Sequence, residues 1–140
     1  MKWTVDQSHL PAFVSVETSG DPEPKDFVSM WREILSSEFW RPGIPVLVDN
    51  QKLKPMKDPD AFTTDAIDFF SDNVESFGAT CVAAVSSLSD NFKYARQFQY
   101  GIRLKGSDVV LQIFGSRTQA VEWLDHYSQV RQREGNVERA

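Results

Sequence analysis

With 140 residues and 15.9 kDa, the chain is one domain by length, because two cores would leave each half at the size where independent folding becomes marginal. Hydrophobic residues at 41%, aromatics at 12% and charged residues at 25% sit near globular averages and exclude disorder, coiled coil and collagen. A net charge of −5 and a pI near 5.0 argue against a nucleic-acid partner, which a basic face would advertise. No run reaches the roughly 18 apolar residues of a bilayer span, and Met1-Lys2-Trp3 leads into a polar segment rather than a signal-peptide stretch, so a cytoplasmic location is expected. The lone cysteine, Cys81, excludes an internal disulfide, and two histidines, His9 and His126, are too few for a histidine cage. Neither a metal nor a cofactor is expected.

Trp3 and Val5 alternate with polar residues in Lys2–Asp6, and Val14 and Val16 alternate with Ser15 and Glu17 in Ala12–Thr18; with the turn around Gln7-Ser8-His9 between them they predict a hairpin. Ser19-Gly20-Asp21-Pro22 breaks the pattern, and Pro22 and Pro24 suit only the first turn of a helix. Phe27, Met30, Trp31, Ile34 and Leu35 then fall on one helical face, with Arg32, Glu33 and Ser36 outward. Arg41-Pro42-Gly43 closes that helix, and Ile44–Val48 predicts the third strand. Gln51–Asp60, with two prolines and three lysines, reads as a loop. Phe62, Ala66, Phe69, Phe70 and Phe77 predict one helix over Phe62–Phe77, capped by Gly78. Ala79–Val85 is apolar apart from Thr80, the mark of a strand covered on both faces. A helix over Asn91–Tyr100 presents Phe92, Ala95 and Phe98 and is interrupted by Gly101. Val109–Phe114 is the fifth strand, and Ser116 with Gln119 forms a capping box ahead of Ala120, Trp123, Leu124 and Tyr127. Trp123 is expected to be buried against the sheet. Residues 1–130 make one domain, and the polar tail 131–140 is expected to fray.

Strands alternating with helices after an opening hairpin imply right-handed crossovers, hence an α/β fold whose sheet is mostly parallel with Lys2–Asp6 antiparallel at its edge. Ligands in open α/β sheets bind beyond the carboxyl ends of the strands, here Ser19-Gly20-Asp21, Asp49–Asp60, Ser86–Asp90 and Gly115-Ser116. None of these carries GxGxxG or GxxxxGK[ST], so no nucleotide site is indicated.

The segments Val46-Leu47-Val48-Asp49, Val82-Ala83-Ala84-Val85, Tyr94-Ala95-Arg96-Gln97-Phe98, Ile113-Phe114 and Gln119-Ala120-Val121-Glu122-Trp123-Leu124 carry a resemblance. Over about residues 2–127 the chain resembles the SpoIIAA-like proteins, small bacterial STAS-like domains likened to Sec14-type lipid-binding domains. The resemblance implies a five-stranded mixed sheet with four helices, no enzymatic activity, and contact with an apolar ligand or a membrane. The chain departs from anti-sigma-factor antagonists in lacking their Asp-Ser-Ser-Gly-like turn: the loop Gln51–Asp60 replaces it, and only Thr63 and Thr64 stand near the helix start. That departure puts a phosphoswitch in doubt.

Candidate ligand residues follow from placement, each with a structural role beside the functional one. Asp49 ends a strand at the rim, where it accepts hydrogen bonds from a ligand or caps its own loop. Lys52, Lys54 and Lys57 surround Leu53, Pro55 and Met56, a basic loop with apolar tips suited to an anionic membrane or simply to solvent. Phe62, Phe69 and Phe70 line either a pocket or a core. Ser86 and Ser87 offer rim hydroxyls, and Arg96 beside Tyr94 offers a cation for a phosphate or carboxylate; each is otherwise a surface group. Cys81 is a core residue whose thiol burial keeps inert. The expected role is a non-enzymatic domain binding an apolar or amphipathic small molecule between the second helix, its preceding loop and the sheet; a protein-interaction module is the alternative. The partners on this reading are a lipid-like ligand, peripheral membrane contact and a second copy of the chain in a homodimer, with no nucleic acid.

Overall fold

The structure, a computed structural model, describes residues 1–87 and 89–127, with side chains except at 89–92. Strands β1 (Lys2–Asp6), β2 (Val14–Gly20), β3 (Val46–Leu53), β4 (Cys81–Val85) and β5 (Val110–Phe114) form one sheet in the order β1-β2-β3-β4-β5. β1 pairs antiparallel with β2 at the edge, as the alternation predicts, and the other three pairings are parallel. β4 is buried along its whole length, in keeping with its unbroken apolar run. The polar tail 131–140 lies outside the described residues.

Helices α1 (Pro24–Ser36), α2 (Pro59–Asp72), α3 (Val74–Phe77) and α4 (Ser89–Leu104) connect the strands, and α5 (117–127) follows β5. Because each parallel strand is added on the same side of the previous one, right-handed crossovers place α1, α2 and α4 on one face. That face holds the larger core, with Val14, Val16, Val46, Val48, Val82 and Ala84 of the sheet under Trp31, Ile34 and Phe70. The other face holds a smaller core in which Leu47, Ala83 and Val85 meet Ala120 and Leu124 of α5. Even-numbered residues of β2 and β4, with Val46 and Val48 of β3, therefore face the first core, and Leu47 of β3 with the odd-numbered residues of β4 faces the second, as the two-residue strand period requires.

Several elements differ from the sequence reading. The second strand is displaced from Ala12–Thr18 to Val14–Gly20. Ala79 is exposed ahead of β4, while the buried Thr80 donates its hydroxyl to the Ile44 carbonyl. β3 continues to Leu53, which is buried and pairs with Gly20, and α2 begins at Pro59, so Gln51–Asp60 is loop only over 54–58. The predicted single helix Phe62–Phe77 breaks at Asn73, whose side-chain amide donates to the Phe69 carbonyl at 2.8 Å, an alternative to the helical hydrogen bond. The described residues thus carry five helices rather than four. Gly78 closes the second piece at φ +66°, a conformation that favours glycine. α4 runs through Gly101 instead of stopping there, because the residue is needed for its lack of a side chain: a Cβ would stand 2.8 Å from Ile67 Cγ1 of α2. Ser116 caps α5 as predicted, its Oγ accepting the Gln119 N–H at 3.3 Å. Trp123, however, is only half-buried, stacking on Tyr127 at 5.2 Å, and the fully buried residues of that helix are Ala120 and Leu124.

Candidate functional site

A cavity of about 80 Å³ lies between α1, α2, α4 and the carboxyl ends of β2, β3 and β4. One water needs roughly 10–15 Å³ on this scale, whereas drug-sized ligands occupy about 300–1,000 Å³, so the space suits a compact molecule. Its aliphatic lining comes from the sheet, through Val48, Val82, Ala84 and Leu111. Its aromatic lining comes from the helices: Phe27 and Trp31 of α1, Phe62 and Phe70 of α2, Tyr94 and Phe98 of α4. Sequence dictates this directly, since each of these helices turns one apolar stripe to the sheet and each stripe is aromatic near the carboxyl rim.

These rings hold one another by edge contacts. Phe27 lies 5.3 Å from Phe62 and 5.6 Å from Phe98, both T-shaped, and Trp31 meets Phe70 edge-on at 5.3 Å. Phe70 in turn stacks on Phe77 at 4.1 Å. Met56, Phe62 and Tyr94 are half-buried and form the side on which the cavity approaches solvent.

The polar lining is sparse and sits at the rim. Thr18 of β2, Asn50 of β3, Thr63 of α2 and Ser86 after β4 line it, as does Met1, whose α-ammonium is paired with Asp26 Oδ2 at 3.2 Å. The Thr18 hydroxyl donates to Asn50 Oδ1 at 2.6 Å, and the Ser86 N–H donates to the Phe114 carbonyl at 3.0 Å, which fixes the end of β4 against β5. Trp31, 1% exposed, buries its indole Nε1–H without an acceptor among the described residues. Leaving such a donor unmet costs about 1–3 kcal/mol.

Of the residues singled out in the sequence, Phe62, Phe70 and Ser86 meet in this cavity. Phe69 is buried but turns to Phe77, 6.1 Å away, and carries the Arg32 guanidinium 5.9 Å from its ring. Asp49 belongs to the opposite face, where its Oδ2 accepts from Arg117 Nη1 at 3.4 Å, Arg117 Nη2 donates to Ser15 Oγ at 3.2 Å, and Asp49 Oδ1 accepts the Gln51 N–H at 3.1 Å. This cluster ties β2 and β3 to the first turn of α5 and fulfils the capping role of Asp49. Arg96 is exposed on α4. Ser87 Oγ donates to the Gln51 carbonyl at 3.4 Å.

The three lysines are exposed but do not act together. Lys52 Nζ sits 2.5 Å from Glu17 Oε1, and this hydrogen bond, reinforced by the opposite charge, holds the Glu17 carboxyl below its usual range and the Lys52 ammonium above its own. The Lys54 backbone N–H donates to the Gly20 carbonyl at 2.9 Å, and Lys57 stands one residue before the Asp58 cap of α2. Cys81 is buried against the α5 face, and His9 stacks on Phe13 at 4.7 Å. Among the described residues no group of histidine, cysteine, aspartate or glutamate is placed to hold a metal ion, and no helix is long and apolar enough to cross a membrane.

Thr18, Trp31, Asn50 and Thr63 were not among the ligand candidates read from the sequence. For Thr18 and Asn50 the signal is strand parity: Val14, Val16, Thr18 and Val46, Val48, Asn50 share a face, and the last of each is polar.

No protein-family model matches the chain, and the curated proteins compared with it show no similar sequence. Among solved structures, an uncharacterized protein of the DUF3478 family from Shewanella loihica, described as having a SpoIIAA-like fold, superposes with a TM-score of 0.56. The two chains share 14% identity over 88% of this chain and 92% of the other. The superposition shows that this chain has the SpoIIAA-like fold.

Proposed function

We propose that this chain is a non-enzymatic binding domain that holds an apolar or amphipathic small molecule in the cavity under α1, α2 and α4. The observation that carries this reading is the cavity itself, a space lined by six aromatic side chains at the rim where open α/β sheets take their ligands. A lining that is mostly aromatic and aliphatic, with its few polar groups at one edge, supports holding rather than transforming a ligand.

Two measurements test the proposal. Native mass spectrometry of protein isolated from cells should show a mass excess that denaturation removes. Toluene, added to ligand-free protein, should produce saturable amide shifts in α1, α2 and α4 by two-dimensional NMR. A cavity that takes neither a cellular ligand nor toluene would refute the binding role.

A further inference from the structure

Resting on that binding role, we infer that the cavity selects an uncharged, ring-sized ligand carrying one neutral hydrogen-bonding group, of the chemical class of a phenol. The sheet supplies the first reason. Val16, Val48 and Ala84 lie side by side across β2, β3 and β4, and two residues further along each strand the cavity-facing position turns polar, to Thr18, Asn50 and Ser86. These three lining residues stand just past the regular pairing of β2, β3 and β4 and put a polar edge at the end of an apolar chamber. The Thr18 hydroxyl engages Asn50 Oδ1, which fixes the amide and leaves Nδ2 as a donor without a partner among the described residues.

Charge and size supply the second reason. None of the described side chains lining the cavity is charged, and the α-ammonium of the lining Met1 is already paired with Asp26 at 3.2 Å, so a carboxylate or ammonium would lose its hydration with no uncommitted counter-ion to replace it. About 80 Å³ between aromatic walls suits a ring-sized group better than the whole of an extended acyl chain.

The test is an NMR titration of the whole chain with p-cresol, toluene, benzoate and octanoate. Toluene is more easily withdrawn from water than p-cresol, so without hydrogen bonds to the hydroxyl p-cresol would bind the more weakly. The expected result is that p-cresol binds at least as tightly as toluene, with benzoate and octanoate weaker by at least about tenfold. Thr18→Val and Asn50→Leu should weaken p-cresol about tenfold and leave toluene unchanged. Should p-cresol bind tenfold more weakly than toluene, or benzoate or octanoate match p-cresol, the selectivity is wrong while the binding role stands; if toluene and p-cresol both fail to bind, the binding role itself falls. The comparison on the unmodified chain decides the question even where a variant fails to fold.

Discussion

Gly101 and Ile67 meet across the packed faces of α4 and α2 with no room for a methyl group between them: a Cβ on residue 101 would stand 2.8 Å from Ile67 Cγ1 and closer still to Cδ1. Glycine inside a helix ordinarily costs roughly 0.5–1 kcal/mol relative to alanine, so its presence here marks a close approach of the two helices. Gly101→Ala gains that propensity and meets Ile67, a β-branched side chain with little freedom to turn aside. A net destabilisation of about 1–2 kcal/mol is expected from urea melts. Adding Ile67→Ala should recover part of the loss, and strict additivity of the two changes would show that the helices do not touch there.

Phe70 and Phe62 both line the cavity, yet they should separate stability from binding. Phe70 is fully buried between Phe77 and Trp31, so Phe70→Ala should cost about 3–5 kcal/mol. Phe62 is half-buried at the open side, and Phe62→Ala should cost no more than about 1–2 kcal/mol while changing the affinity for toluene. Equal losses in urea melts would place Phe62 in the core.

On the other face the smaller side chain matters more. Leu124 is fully buried against Leu47, Ala83 and Val85, and Leu124→Ala should cost about 2–5 kcal/mol. Trp123 retains a solvent-facing side, and Trp123→Ala should cost less than about 2 kcal/mol, most of it from contact with Phe114 and Tyr127. A larger loss at position 123 than at 124 would reverse the assignment of the buried face of α5.

The Glu17–Lys52 pair predicts a definite pH window. Glu17 has its folded pKa lowered by the Lys52 hydrogen bond, so its contribution is present above the unfolded carboxylate pKa and is lost as pH falls through the folded value. Lys52 has its folded pKa raised by Glu17, so its contribution is present below the unfolded ammonium pKa and is lost as pH rises through the folded value. The pair acts between those limits and fades at both. Because both groups are on the surface, added salt should raise the Glu17 pKa toward its ordinary value. NMR titration of the Glu17 carboxyl carbon in the parent chain and in Lys52→Gln should show the depression only in the parent.

Much of this architecture is written in local pattern, and the exceptions have identifiable causes. The hairpin, the two-sided β4 and the Ser116 cap each follow from a short-range rule, and the structure contains all three. Leu53 escaped because Gln51, Lys52 and Lys54 around it are polar, which hides a buried strand position whose partner, Gly20, is distant in sequence. Gly101 reads as a helix breaker until Ile67 is known to lie against it, and Asn73 fits the helical period of its neighbours while diverting the Phe69 carbonyl. The cavity was expected beside α2 and its preceding loop, and Phe62, Phe70 and Ser86 are in it. Asp49 and Phe69 turn elsewhere, because which face a residue serves depends on strand parity and on which helices cover that face, and neither is visible until strand order is known.

Adjacent residues of β3 serve opposite layers: Leu47 and Asp49 look toward α5, while Val48 and Asn50 look toward the cavity. A single residue inserted into or deleted from this strand would exchange the two sets beyond that point, carrying the Asp49 carboxylate toward the aromatic chamber and stranding Arg117 without its partner. Length variation among descendants of this sequence should accordingly collect at 54–58 and 105–108, where no such exchange of faces follows, and β3 should change by substitution alone.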